Sequence, residues 1–266
     1  MEIPQFDICT PDFTAALKLA RKRERISEII RIESKDILKD TFGAFPLIIS
    51  RFPKNRNLWS ELKNNFGDIV ANVRIGDYAS PENYLAHRKF EKVPINKFMN
   101  SAECGATNYA GNQAFSETLL DKLNMGLPSI FNKDEFLAPA VWVGGRGCVT
   151  PLHKDGSPNF AMHFYGKKKW ILFDILDVPE LRMSRPLENS DFAVSKIDLR
   201  ECNQTPRNKT NIQPIEVIVN AGEMLYLPAN WGHFVTTLEN TIMANYWRPT
   251  QKDKLQSPPP KPWDYL

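Results

Sequence analysis

The sequence has no paired cysteines, no apolar run of membrane length and little net charge, and each absence removes a class of protein. Cys9, Cys104, Cys148 and Cys202 form no Cys-x-x-Cys pair, which argues against a zinc ribbon and a disulfide framework and leaves reduced thiols. The opening residues MEIPQFDICTPDF lack a basic stretch followed by an apolar one. No apolar run approaches the roughly 20 residues of a membrane span, so a cytoplasmic chain with no membrane partner is expected. A net charge of +3 with a pI near 8.6 does not announce a nucleic-acid binder. What the chain does have is size: 266 residues at 42% hydrophobic content suffice for a large core, and the length fits one β-rich domain with helical additions.

Histidine is scarce as well, four in all, and two of the four carry the chemistry. His153 and Asp155 stand two apart within WVGGRGCVTPLHKDGSPNFAMHFYGKKKWILFD, residues 142–174. In a strand, residues i and i+2 project from one face, so this imidazole and carboxylate converge. His233 offers a second imidazole in LPANWGHFVTTLEN, where Pro228 and Gly232 bracket a turn before a β-branched run. Two imidazoles and one carboxylate on one face of a metal leave the opposite positions open, the donor set of non-haem Fe(II) sites. A His-x-Asp also arises without a metal, as a core or surface histidine beside a solvated acid, so its neighbours decide.

One neighbour is a lysine run. Alternation along Lys167–Asp174 puts Lys168, Trp170 and Leu172 on one face and Lys167, Lys169, Ile171 and Phe173 on the other. A lysine carried inside with Trp170 and Leu172 is costly unless it meets an anion, and no acidic residue presents itself as the partner. A bound anion would serve; the competing reading is a solvated edge strand.

TPLHKD, NFAMHFYGKKKWILF, GEMLYLPANWGHFVTTL and TIMANYW agree in order and spacing with one family. From about Phe45 to about Arg248 the chain resembles the JmjC-type, cupin-like (cupin 8) hydroxylases, a group that includes the asparaginyl hydroxylase of the hypoxia response. The resemblance implies a mainly β fold with a helical N-terminal part, a double-stranded β-helix (cupin or jelly-roll barrel). It implies Fe(II) held by His153, Asp155 and His233 as the catalytic centre, with 2-oxoglutarate as cosubstrate and O2 as co-reactant. Lys168 and Thr150 would grip the far carboxylate of 2-oxoglutarate. Asn159 and Asn245 would line its pocket, and Tyr109, in TNYAGNQAF, stands where a tyrosine of these enzymes helps hold the same carboxylate. His163 shares a face with Asn159 and reads as a satisfied core histidine or a substrate contact.

Hydroxylation of a C–H bond is the implied outcome, with a side chain of a protein or peptide as the leading substrate. A free amino acid, a small biosynthetic intermediate or tRNA would use the same core. Demethylation of methyl-lysine fits less well, since the ligand is Asp where many demethylases carry Glu. A metal-binding cupin that is no oxygenase, or an interaction scaffold, stands as the alternative of another class.

The flanks are read more coarsely. Residues 12–38 carry a helical apolar stripe broken by Arg21-Lys22-Arg23-Glu24-Arg25, which reads as a solvated helix face or as a docking surface for an acidic partner or RNA. Strand, helix and strand signals follow at 45–49, 58–62 and 68–75, then helices opening at Pro81, at Ile95 and over Ser116–Leu123. His87 reads as an exposed helix residue. The polar, proline-punctuated stretch 175–214 reads as a surface loop or a place of substrate recognition. The tail SPPPKPWDYL reads as an extended segment that packs Trp263 on the body or contacts a partner, a second copy in a homodimer included. The domain expectation is a single unit, with 1–40 a helical extension, about 41–250 the barrel and its lead-in, and 251–266 a tail.

Overall fold

The computed structural model describes residues 8–38, 41–85, 89–186, 191–201 and 212–249. His87, Cys202 and the 251–266 tail lie outside them. In chain order the elements are α1 (Pro11–Ala20), β1 (Ile30–Glu33), β2 (Leu47–Ser50), α2 (Leu58–Asn65), β3 (Val70–Arg74), α3 (Pro81–Leu85), β4 (Phe90–Pro94) and α4 (Ile95–Glu103). Then come β5 (Tyr109–Gln113), α5 (Glu117–Lys122), β6 (Ala140–Gly144), β7 (Val149–Lys154), β8 (Asn159–Tyr165) and β9 (Lys167–Phe173). The chain continues through β10 (Met183–Ser184), β11 (Ala193–Ser195), β12 (Ile215–Asn220), β13 (Glu223–Leu227), β14 (Gly232–Thr237) and β15 (Thr241–Trp247). Two helix starts have a plain local cause: the Thr10 and Ser116 hydroxyls accept from the free amides of Phe13 and Leu119.

The strands form two sheets. One has nine strands in the order β1-β2-β13-β8-β15-β6-β5-β3-β4, and the other six in the order β10-β11-β7-β14-β9-β12. This is the double-stranded β-helix expected. Period-two alternation divides the larger sheet between two cores. Ile48, Ala161, Leu225 and Met243 join Leu152, Trp170 and Leu172 of the smaller sheet in the barrel interior. Ile49, Phe160, Met162, Met224 and Ala244 face the other way, in the core that holds Trp59 and Leu62 of α2 and Phe98 and Met99 of α4. A sheet buried on both faces reads as near-continuous apolar sequence. The outer face of the smaller sheet is charged, with Lys167 2.8 Å from Glu239 and Lys169 3.8 Å from Glu216.

Three expectations need correction. The 12–38 stretch is not helical throughout: α1 stops at Ala20, and Ile30–Glu33 is a strand lying parallel to β2. Isoleucines at 30 and 32 fit period two as well as a helical stripe, and pairing with the sheet decides between them. The basic cluster is only partly a solvated face: Arg21, Lys22 and Glu24 are exposed, but two of its arginines are held by the fold. Arg23 makes a bidentate pair with Asp174 at 2.9 and 3.0 Å and lies 4.5 Å from the Phe45 ring centre, and Arg25 pairs with Asp177 at 2.7 Å. The 175–214 excursion contributes β10 and β11, and β11 pairs directly with β7. Cys9, Cys104 and Cys148 form no disulfide. Among the described residues no helix is long and apolar enough to cross a membrane.

Gly166, between β8 and β9, adopts φ +69° and faces the Asn240 carbonyl so closely that a methyl group would overlap it. Gly166→Ala should therefore cost about 2–4 kcal/mol, from left-handed strain plus displaced backbone. Gly43→Ala, at a position with open space around it, should be close to neutral; urea unfolding of both variants checks the pair.

Candidate metal centre

The three expected ligands converge because of strand register. His153 on β7 is the direct cross-strand partner of His233 on β14, and their rings lie 3.9 Å apart between centroids. Asp155 follows one residue past β7 and brings its Oδ2 to 3.9 Å from His233 Nε2. One donor atom from each residue lies within 4.8 Å of those of the other two, so the three could hold one metal ion.

Their surroundings prepare them for that task. The Nδ1 of His153 lies 2.8 Å from the Pro151 carbonyl and that of His233 lies 3.1 Å from the Trp231 carbonyl. A carbonyl only accepts, so Nδ1 carries the proton in both rings and the Nε2 lone pairs are left for a metal. Burial depresses both imidazoles, His233 to about 3, with the neighbouring His153 adding to the effect, so both are neutral at physiological pH, as ligands must be. The carboxylate is braced too: Trp247 Nε1 donates to Asp155 Oδ2 at 3.2 Å, and Asn159 Nδ2 approaches the same oxygen at 3.4 Å.

A second feature lies beside the triad. Lys168 on β9 is fully buried, and its Nζ donates to the Tyr109 hydroxyl on β5 at 2.6 Å. Burial lowers this amine to about 7, and no acidic residue is among the groups acting on it. Thr150 lies beside the same phenol, so Lys168, Tyr109 and Thr150 form one cluster. Around them are buried polar atoms with no hydrogen-bond partner: Trp142 Nε1, Trp170 Nε1, Asn159 Oδ1, Asn245 Oδ1 and both ring nitrogens of His163. Buried polar atoms are almost always paired, so orphans gathered in one interior mark room for a ligand. With an ammonium and two indole N–H groups among them, that ligand should be an acceptor. His163 is thus interior but not satisfied, a correction to the first of its two readings. Tyr109 is a strand residue in the core.

One residue here carried no sequence signal. Phe192, from the 175–214 excursion, sets its ring 5.7 Å from that of His153 and packs with Tyr84 and Val194. Trp170 stacks on His233 at 5.8 Å. Trp247 was findable, since it sits two residues after Asn245 on one strand face.

Comparison with known proteins agrees with this geometry. The family described as a cupin-like domain matches residues 35–254, most of the chain. The chain belongs to the cupin-like, JmjC-type family. Among curated proteins it is 27% identical over 261 residues to the JmjC domain-containing protein D of Dictyostelium discoideum, covering 84% of this chain and 56% of that protein. It is 32% identical over 119 residues to the 2-oxoglutarate and iron-dependent oxygenase JMJD4 of Mus musculus, covering 44% of this chain and 27% of that one. It is 28% identical over 204 residues to the lysine-specific demethylase JMJ30 of Arabidopsis thaliana, covering 72% and 46%. The chain thus spans from about a quarter to just over half the length of these relatives.

Trp247→Phe removes the indole donor to Asp155 while keeping an aromatic body. It should weaken metal binding about 10- to 100-fold with little change in melting temperature of the metal-free protein. Competition against a fluorescent chelator measures the first and calorimetric unfolding the second.

Proposed function

We propose that the protein is an Fe(II)- and 2-oxoglutarate-dependent oxygenase that hydroxylates a C–H bond, with an amino-acid side chain of a protein or peptide as substrate. The observation that carries this reading is the coexistence of an open three-ligand cluster and, beside it, a buried ammonium without an acid. In this reading residues 1–266 act as one unit, with about 41–250 as its barrel and lead-in. Two of the relatives support it by name, an oxygenase dependent on 2-oxoglutarate and iron and a lysine-specific demethylase.

His153, Asp155 and His233 would hold the iron, and Lys168, Thr150 and Tyr109 would hold the far carboxylate of 2-oxoglutarate. Bound together with O2, these two groups supply the oxidising power that places one oxygen atom on the substrate while 2-oxoglutarate becomes succinate and carbon dioxide. The chain's own work is positioning. Trp247 and Asn159 fix the Asp155 carboxylate, and the Pro151 and Trp231 carbonyls fix the imidazoles in the ligating tautomer. Asn159, Asn245 and His163 offer polar atoms still to be matched. Trp170 and Phe192 cover the ligands with aromatic surface and keep water away.

Anaerobic titration of the Fe(II)-loaded protein with 2-oxoglutarate, followed by its visible charge-transfer absorbance, tests this reading. A band in wild type, lost in His153→Ala and needing at least about tenfold more 2-oxoglutarate in Lys168→Ala, is the expected outcome. Iron binding with no band in any of the three would instead favour a metal cupin that is no oxygenase.

The lowered amine gives a pH signature. Lys168 titrates near 7 when free and buried, against an ordinary 10.5, so above 7 the free protein has lost a proton that an anion-bound ammonium regains. Binding of 2-oxoglutarate should therefore take up about one proton at pH 8 to 9 and few at pH 6. Calorimetry in buffers of different ionisation enthalpy reads this number; uptake that does not rise with pH would remove Lys168 from the role.

A further inference from the structure

Arg74 is an interior cation that the oxygenase reading leaves unused. It ends β3, is 2% exposed, and its register partner on β5 is Tyr109, so the two side chains share one face of the sheet. Its guanidinium carbon lies 4.8 Å from the ring centre of Tyr84 on α3 and 5.2 Å from that of Trp142 on β6. Two aromatic faces ease the burial of a positive charge, but they do not satisfy a fork of N–H donors. Arg74 Nε and Nη1 are buried without any hydrogen-bond partner, and among the described residues no carboxylate pairs with this side chain.

A guanidinium cannot escape such a position by losing its proton, as an amine can. An unpaired buried charge is among the heaviest penalties a fold carries, so a position that keeps one points to a partner that comes from outside. The surroundings say which side that partner enters from. Tyr84 packs with Phe192 and Val194, and Phe192 is the ring that lies against His153, so an aromatic wall runs from Arg74 to the metal ligands. Burial dominates the shifts of Tyr109 and His153, yet the field of Arg74 acts on both, which sets it against the cosubstrate cluster and the triad alike.

We infer that Arg74 reads the substrate, and that the substrate presents a carboxylate to it. This rests on the oxygenase reading, in which Lys168, Thr150 and Tyr109 already serve the cosubstrate, so that a second interior cation remains for a second, different acid. A planar fork between two rings matches a planar carboxylate of single charge. A phosphate, at about −1.5 to −2, would be left half matched. The expected substrate is therefore an acidic side chain or a free carboxylic acid, held by its carboxylate with the reacting C–H turned toward His153, Asp155 and His233.

The test is thermal unfolding of wild type, Arg74→Met and Arg74→Lys, each loaded with Mn(II) in place of iron, both without and with saturating 2-oxoglutarate. Sodium acetate, acetamide and sodium phosphate are added in turn at matched ionic strength. Acetate should raise the wild-type melting temperature by about 2–4 °C at saturation while its neutral isostere acetamide does not. Arg74→Met should respond to none of them, and Arg74→Lys weakly to acetate. Arg74→Met removes an unpaired charge at similar volume, so without additives it should melt no lower than wild type, which keeps a lost response interpretable. No acetate response in wild type, or an equal one in Arg74→Met, overturns the inference. A phosphate response above that of acetate overturns the carboxylate, and an acetate response abolished by 2-oxoglutarate shows that Arg74 serves the cosubstrate instead. Failure of the oxygenase reading appears separately, as no stabilisation by 2-oxoglutarate itself.

Discussion

The pairing of β14 against β7 sets His233 directly across from His153, and the rest of the site depends on that register. A slip of β14 by one residue would turn His233 to the opposite face and leave His153 and Asp155 without their third ligand. The register is held from both sides, because β14 also pairs along its length with β9, placing Thr237 across from Lys168 and His233 across from Leu172. One set of strand alignments thus positions the metal ligands and the buried lysine together. It is supported from a distance by Arg23, which pairs with Asp174 at the end of β9 and lies 5.8 Å from the ring of Trp231, the residue whose carbonyl holds His233.

The interior is also unusual in its charge. Lys168 and Arg74 are both buried on the pocket side, and neither forms an ion pair with an acidic side chain of the described residues. A fold that tolerates two such cations forgoes stability it would gain from apolar residues of the same size. The two differ in how they bear it. The lysine can shed its proton, and its lowered affinity for that proton records the strain, whereas a guanidinium offers no such release.

Much of this was legible in the chain because the relevant signals are local. The spacing of His153 and Asp155, the turn before His233 and the alternation that carries Lys168 inward with Trp170 are all properties of short strands, and all appear in the fold. What escaped reading depends on partners far along the sequence. Ile30 and Ile32 belong to a strand only because β2 lies beside them, and Phe192 matters only because β11 pairs with β7. Arg74 looked like any charge at a strand end, since nothing in VANVR reveals that α3 and β6 close over it with aromatic rings. The two aspartates that take Arg23 and Arg25 lie about 150 residues away, so a basic cluster read in isolation passes for a solvated surface.

The placement of the ligands on β7 and β14 has a consequence for the order of folding. These strands are distant in sequence and are brought together only when the smaller sheet closes, a non-local event that costs much chain entropy before its contacts repay it. The unfolded chain therefore has no ready chelate, and a metal cannot act as the nucleus around which the barrel condenses, as zinc does in small fingers. Any ion this cradle takes meets a finished barrel, in which the sheet has already set the three ligands side by side.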